Sequence, residues 1–137
     1  MTRARTLMWL VVVGILLTSC SLGTGEAKQG VSTFRTQVSQ QAFSQIYQAA
    51  GPELRRAASE EQFVRFMTSV DHKLGPWQSS PEPGWNVTRT TAGHFVKLAY
   101  QSQFARGPAV EEFTWRIQNG QAVLLGYHVS SMLLVSD

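Results

Sequence analysis

Nine carboxylates, three histidines, three tyrosines and one cysteine are the residues of this 137-residue chain that could move protons, ligate a metal or act as nucleophiles. General-base catalysis needs a carboxylate or imidazole inside a cavity, with donors placed where negative charge develops. Most of the acids are poorly placed for that. Glu26 falls in a small, polar stretch, Glu53, Glu60 and Glu61 occupy the first turns of predicted helices, Glu82 sits in a proline-rich loop and Asp137 is terminal. Asp71, Glu111 and Glu112 remain. Asp71 precedes His72 on the flank of an amphipathic helix, where solvent is the expected environment. Glu112 shares a predicted strand face with Thr114 and Arg116. If that face lines a cavity, they form a polar cluster for a ligand; if it meets water, the expected outcome, they are a surface pair worth little. An isomerase or hydratase would use Asp71 or Glu112 as base and Tyr100 or Tyr127 as donor, so Asp71, Tyr100, Glu112 and Tyr127 are the candidate cavity residues.

Other chemistries find less support. His72, His94 and His128 lack the close spacing of a helix-borne zinc pair, so no metal site is expected. Gly23-Thr24-Gly25 has no strand before it and opens no nucleotide fingerprint, and no other cofactor motif occurs. Trp77, Trp85 and Trp115 could wall a ligand site, but ordinary core and sheet packing is the expected reading. The formal charge of +3 includes Arg3 and Arg5, and the remaining ten basic and nine acidic residues nearly balance. Such a balance gives no reason to expect nucleic acid as the partner, which would call for a clustered basic face.

Cys20 stands apart. Arg3 and Arg5 are followed by an apolar stretch from Leu7 to Leu17 and then by Thr18-Ser19-Cys20. That stretch is too short for a membrane-crossing helix, which needs about 20 apolar residues. The arrangement is that of a signal peptide over residues 1–19. Leu17-Thr18-Ser19-Cys20 resembles the bacterial lipobox. The resemblance implies a thioether-linked diacylglycerol on Cys20, cleavage before it, and acylation of the new amino terminus, commonly by palmitate. Ser21, in place of an inner-membrane-retaining Asp, then implies the outer membrane facing the periplasm if the host has two membranes. Residues 20–31, small and polar, read as a flexible tether. A lone cysteine leaves no internal disulfide, so residues 32–137 must be stabilised by a hydrophobic core.

Those residues divide into helices and then strands. Phe34, Val38, Phe43, Ile46 and Tyr47 predict an amphipathic helix over 32–50, ended by Gly51-Pro52. A short helix follows over 52–58. Ser59 and Gln62 form a capping-box pattern for a helix over 60–74, with Phe63, Phe66, Met67, Val70 and Leu74 on one side and Gly75-Pro76 as the stop. Strands are expected at 85–91, 94–104, 109–118 and 121–131, with a weaker one near 77–80. Asn119-Gly120 is the strongest hairpin signal. Val123 to Val129, apolar on both faces, predicts a central or doubly covered strand. Met132 to Val135 reads as the end of the last strand or a core plug, with a contact surface as the alternative. The fold class is therefore α+β: N-terminal helices on a curved, four- to five-stranded antiparallel sheet.

Ile46-Tyr47, Phe63, Phe66 and Leu74-Gly75, then Phe113-Thr114-Trp115-Arg116-Ile117 and Leu124-Leu125-Gly126-Tyr127, resemble small bacterial lipoproteins with the nuclear-transport-factor-2-like, or cystatin-like, α+β roll. The resemblance implies a cone-shaped cavity between helices and sheet, and relatives that commonly dimerise through the sheet. It brings no activity, because the fold hosts isomerases, dehydratases and non-catalytic binding modules alike. The expected function is a non-catalytic envelope module for a protein partner or a small apolar ligand; the alternative is a ketosteroid-isomerase-like isomerase or hydratase.

Overall fold

The computed structural model describes residues 22–136 as α+β. Four helices, α1 (Thr24–Ser39), α2 (Phe43–Ala49), α3 (Pro52–Ala57) and α4 (Glu60–Leu74), come first. Strands β1 (Trp77–Ser79), β2 (Gly84–Thr90), β3 (Gly93–Phe104), β4 (Gly107–Gln118) and β5 (Gln121–Ser130) follow, and a single turn, α5 (Met132–Val135), closes the chain. The strands form one antiparallel sheet in the order β1-β3-β4-β5, with β2 also paired to β3. The proposed signal peptide and Cys20 lie outside the described residues.

The sheet's inner face is set by alternation. Val96, Leu98, Tyr100, Ser102 and Phe104 of β3 point to the same side as their β4 partners Trp115, Phe113, Glu111, Ala109 and Gly107. Phe34 and Val31 of α1, Ile46 of α2, Leu54 of α3 and Phe63 and Met67 of α4 bury against the centre of that face. A second cluster, Val70, Leu74, Phe104, Ala109 and Val129, fills one end. Tyr127 packs against both clusters.

Local signals account for most boundaries. Ser59 Oγ accepts from the Gln62 backbone N–H at 3.2 Å, and Gln62 Oε1 accepts from the Ser59 N–H at 2.9 Å, completing the capping box of α4. Asn119 and Gly120 both have positive φ, 53° and 73°, as the tight β4–β5 hairpin requires.

Four expectations are corrected. Residues 24–30 are no tether: they are the first two turns of α1, with Ala27 fully buried. Gly30 explains how a glycine-rich stretch becomes helical, since its missing side chain lets α1 lie against Trp115, whose ring a Cβ would meet at 2.9 Å. The helix expected over 32–50 is two helices, because Gln41 at φ 55° turns the chain between α1 and α2. β5 is an edge strand, not a central one. Its surplus apolar residues answer to the Gly51 turn, where a Cβ on Gly51 would meet Leu125 and Val123, and to a β-bulge. Thr114 pairs with Gly126 but Trp115 pairs with Leu124, so Leu125 is an extra residue. The bulge lets Leu124 and Tyr127, three residues apart, both point inward. Finally, Met132 to Val135 is a helical turn and not the end of the last strand; Met132 is 83% exposed, while Leu133 and Leu134 pack on the end cluster, as the plug reading expected.

Candidate functional site

Glu111 and Ser102 are the buried polar residues among the described ones, Glu111 being 1% exposed. Strand alternation places Glu111 on the face that also carries Phe113 and Trp115, so its charge must be met from within the fold. Three donors meet it. Arg35 Nη2 donates to Oε1 at 3.0 Å, Ser102 Oγ donates to the same oxygen at 2.6 Å, and Tyr127 Oη donates to Oε2 at 2.6 Å. Arg35 lies on the apolar stripe of α1, one helical turn from Val31, and only 13% of its side chain is exposed. Its guanidinium carbon stands 4.3 Å from the centre of the Trp77 ring, 5.4 Å from that of Tyr100 and 5.9 Å from that of Phe113.

Proton accounting fixes the direction of the outer bonds. Ser102 spends its one hydroxyl proton on Glu111, so in the 2.7 Å contact with Ser80 Oγ it is the acceptor and Ser80 the donor. Ser80 in turn accepts from Trp77 Nε1 at 2.9 Å. The chain of donors therefore runs from Trp77 through Ser80 and Ser102 to Glu111, and ties β1 and the loop after it to the sheet. Burial holds the Tyr127 hydroxyl well above its ordinary pKa of 10.0, and the Glu111 charge and its hydrogen bond push the same way. The Tyr127 ring is half-buried, but its hydroxyl is enclosed. Tyr100 is raised too, chiefly by burial, with Arg35 opposing.

A cleft of about 340 Å³ opens above this cluster, between α1, α4 and the β1 end of the sheet. Phe34, Val38, Met67, Val70 and Phe104 give it apolar walls; Arg35, Asp71, Trp77, Glu111 and Tyr127 supply its polar and aromatic groups. A wider, shallower depression of about 820 Å³ between α1, α2 and the β4–β5 hairpin has no ionisable wall except Glu26.

The predicted residues separate accordingly. Asp71 and Tyr127 line the same cleft. Tyr100 lines a neighbouring one of about 460 Å³, and Arg35 and Trp77 border both. Glu112 is exposed on the outer face, opposite His128. Arg116 does not pair with it but with Glu53 of α3. The Glu53 carboxyl is held below its ordinary 4.5, first by a backbone hydrogen bond and then by Arg116. The three tryptophans form no common wall: Trp115 is buried and stacked on Phe113 at 6.0 Å, Trp77 covers Arg35, and Trp85 lies exposed on β2. The histidines stay apart, with His94 Nε2 bonded to the Leu22 carbonyl at 2.8 Å and His72 and His128 exposed.

Glu111 and Arg35, the centre of the cluster, were legible in part. Glu111 is in phase with Phe113 and Trp115, and Arg35 is in phase with Val31 and Val38, so each is a charge on an apolar face. No spacing rule says that the two meet.

A family model described as a protein of unknown function, DUF4019, matches residues 31–127, more than two thirds of the chain. The chain belongs to the DUF4019 family. No curated protein matches it. The DUF4019 region contains every member of the buried cluster, from Arg35 to Tyr127, whereas Cys20 and the first two turns of α1 precede it.

Proposed function

We propose that this DUF4019 protein is a bacterial lipoprotein, held to the cell envelope by acyl chains on Cys20, whose domain is a non-catalytic module binding a small apolar ligand in the 340 Å³ cleft. In a host with two membranes its address is the outer membrane, facing the periplasm. The helices-then-sheet order supports a nuclear-transport-factor-2-like relationship, and the lipobox-like Leu17 to Cys20 supports the anchor.

The observation that carries the non-catalytic reading is the state of Glu111. A general base must offer a lone pair to substrate, and three of the about four acceptor sites of this carboxylate already serve Arg35, Ser102 and Tyr127. The cluster holds its own parts rigid and leaves the apolar walls as the contact surface. Ligand sites of this kind are largely preformed and apolar, with a few fixed polar groups for orientation.

The binding test is titration of the membrane-extracted chain with a neutral naphthylamine fluorophore. Saturable binding is expected in the wild type, and Val38→Trp, which fills the cleft from α1, should weaken it at least about tenfold. No saturable binding, or binding unchanged in Val38→Trp, overturns the cleft assignment. Metabolic labelling with palmitate tests the anchor: label should enter the wild type and be absent from Cys20→Ala, which should also leave the membrane fraction.

A second reading, a ketosteroid-isomerase-like isomerase or hydratase, draws on Asp71 and Tyr127 sharing the cleft. With Glu111 committed, Asp71 is the base that reading requires. It stands if the protein speeds deuterium exchange at the carbon next to an enone carbonyl and Asp71→Asn abolishes the effect.

A further inference from the structure

The cleft of about 460 Å³ between α1 and the loop joining β1 to β2 shares Arg35 and Trp77 with the apolar cleft but has a different chemistry. Its most informative wall is Tyr100. That side chain is only 8% exposed, and buried tyrosines usually give their hydroxyl a partner. The Tyr100 hydroxyl has none among the described residues, where its ring contacts are with Phe113 and Arg35. Nor is it sealed in: among the described residues the fully enclosed side-chain polar atom without a partner is Trp115 Nε1, so Tyr100 Oη reaches open space, in the cleft that Tyr100 lines. Burial raises its pKa above 10.0, with Arg35 opposing, and the hydroxyl keeps a proton to donate at neutral pH.

Proton accounting around the cleft shows what could meet that donor. Most neighbouring hydroxyls have spent their proton inside the protein: Ser80 on Ser102, Thr36 on the Ser32 carbonyl at 3.2 Å and Ser39 on the Thr36 carbonyl at 2.6 Å. Arg35 has not spent all of its own. Its Nη2 serves Glu111 and Ser102, while Nε and Nη1 make no hydrogen bond among the described residues. Lys28 Nζ donates to Glu82 Oε2 at 2.7 Å, but the two side chains are 42% and 85% exposed, and such a pair contributes little. The strong donors left to the cleft therefore belong to a phenol and two cations, which together call for an acceptor carrying negative charge. A guanidinium matches a carboxylate or a phosphate in geometry as well as in sign. Glu82 is a group of that kind, brought to the rim by the chain's own loop, and Trp77, Pro81 and Pro83 line the cleft with apolar surface.

We propose that this cleft is an oxyanion site: it takes a small organic carboxylate or phosphate ester, whose anionic group accepts from Tyr100, Arg35 and Lys28 and displaces Glu82 from Lys28, while its apolar body lies along Trp77 and the loop prolines. The site is separate from the apolar cleft and does not depend on that cleft's assignment or on the anchor.

Calorimetric titration of the full, membrane-extracted chain in phosphate-free buffer tests this, with phenyl phosphate and benzoate as probes and phenol as the uncharged control. At least one of the two anions should bind saturably, one per chain, and phenol should not. Tyr100→Phe should weaken that binding at least about tenfold, the effect of losing one hydrogen bond to a charged group. Because the hydroxyl has no partner within the protein, the same variant should unfold at the wild-type midpoint in the absence of anion, which a structural role for the hydroxyl would not allow. Glu82→Gln, on an exposed loop, removes the competing carboxylate and should tighten binding about two- to fivefold. Four results would each overturn the proposal: neither anion saturates, phenol binds as well as the anions, Tyr100→Phe binds like the wild type or lowers the unfolding midpoint, or Glu82→Gln fails to bind more tightly.

Discussion

Replacing Glu111 by Gln removes the charge that Arg35, Ser102 and Tyr127 all serve. Breaking one side of a buried ion pair costs about 3–5 kcal/mol because the remaining charge is left uncompensated. Arg35 retains a little solvent and the Trp77 face, so the expected loss lies at the low end, about 3 kcal/mol, read from urea unfolding. Tyr127→Phe is milder, since Glu111 keeps two donors, and about 1–2 kcal/mol is expected. It also has a signature in pH. The folded chain holds the Tyr127 proton beyond the ordinary 10.0 at which the unfolded chain releases it. Stability from this group is therefore complete below about pH 10 and declines as pH rises through the folded value. Comparing unfolding midpoints near about pH 9 and about pH 11 should show a smaller alkaline loss in Tyr127→Phe than in the wild type, with the share due to Tyr100 remaining. An equal loss in both would remove Tyr127 from the account.

At the scale of elements, α1 distinguishes two glycines five residues apart. Gly25 has open space where a Cβ would go, so Gly25→Ala should stabilise the fold by about 0.5–1 kcal/mol through helix propensity alone. Gly30→Ala gains the same propensity but drives a methyl into the buried Trp115 ring, and a net loss of about 1–2 kcal/mol is expected. Thermal unfolding of the two variants should move in opposite directions; no change from Gly25→Ala would fit a chain that is unstructured there. The same element shows what the sequence could and could not yield. The capping box of α4 and the Asn119-Gly120 hairpin are local chemistry and were readable as such. Helix over residues 24–30 was not, because its stability comes from Trp115 and Ala122, some ninety residues away, against which Gly30 packs. The inward turn of Tyr127 depends likewise on a bulge that alternation does not announce. The cleft residues divide in the same way: the phase of Glu111 is local information, and its meeting with Arg35 is tertiary.

For the molecule as a whole, the early start of α1 moves the lower limit of the folding unit. A chain begun at residue 32, where composition would place the domain, lacks Ala27 and Val31, both in the main core, and the Gly30 contact with Trp115. It should be less stable by about 2–4 kcal/mol than one begun at residue 22, as judged by denaturant midpoints. Equal midpoints would return residues 22–31 to the status of a leader.

The first turn of α1 also bears on how the domain meets its surroundings. On the proposed anchor, Thr24 stands four residues from the acylated Cys20, a reach of at most about 14 Å. That is close to the distance over which charges at a lipid surface are felt in physiological salt, about 8–10 Å. The domain would then be a fitting mounted on the bilayer rather than a float on a line. Its orientation would be restricted, with the positive end of α1 turned to the phosphates, and it would survey a thin layer of headgroup water instead of the depth of the compartment.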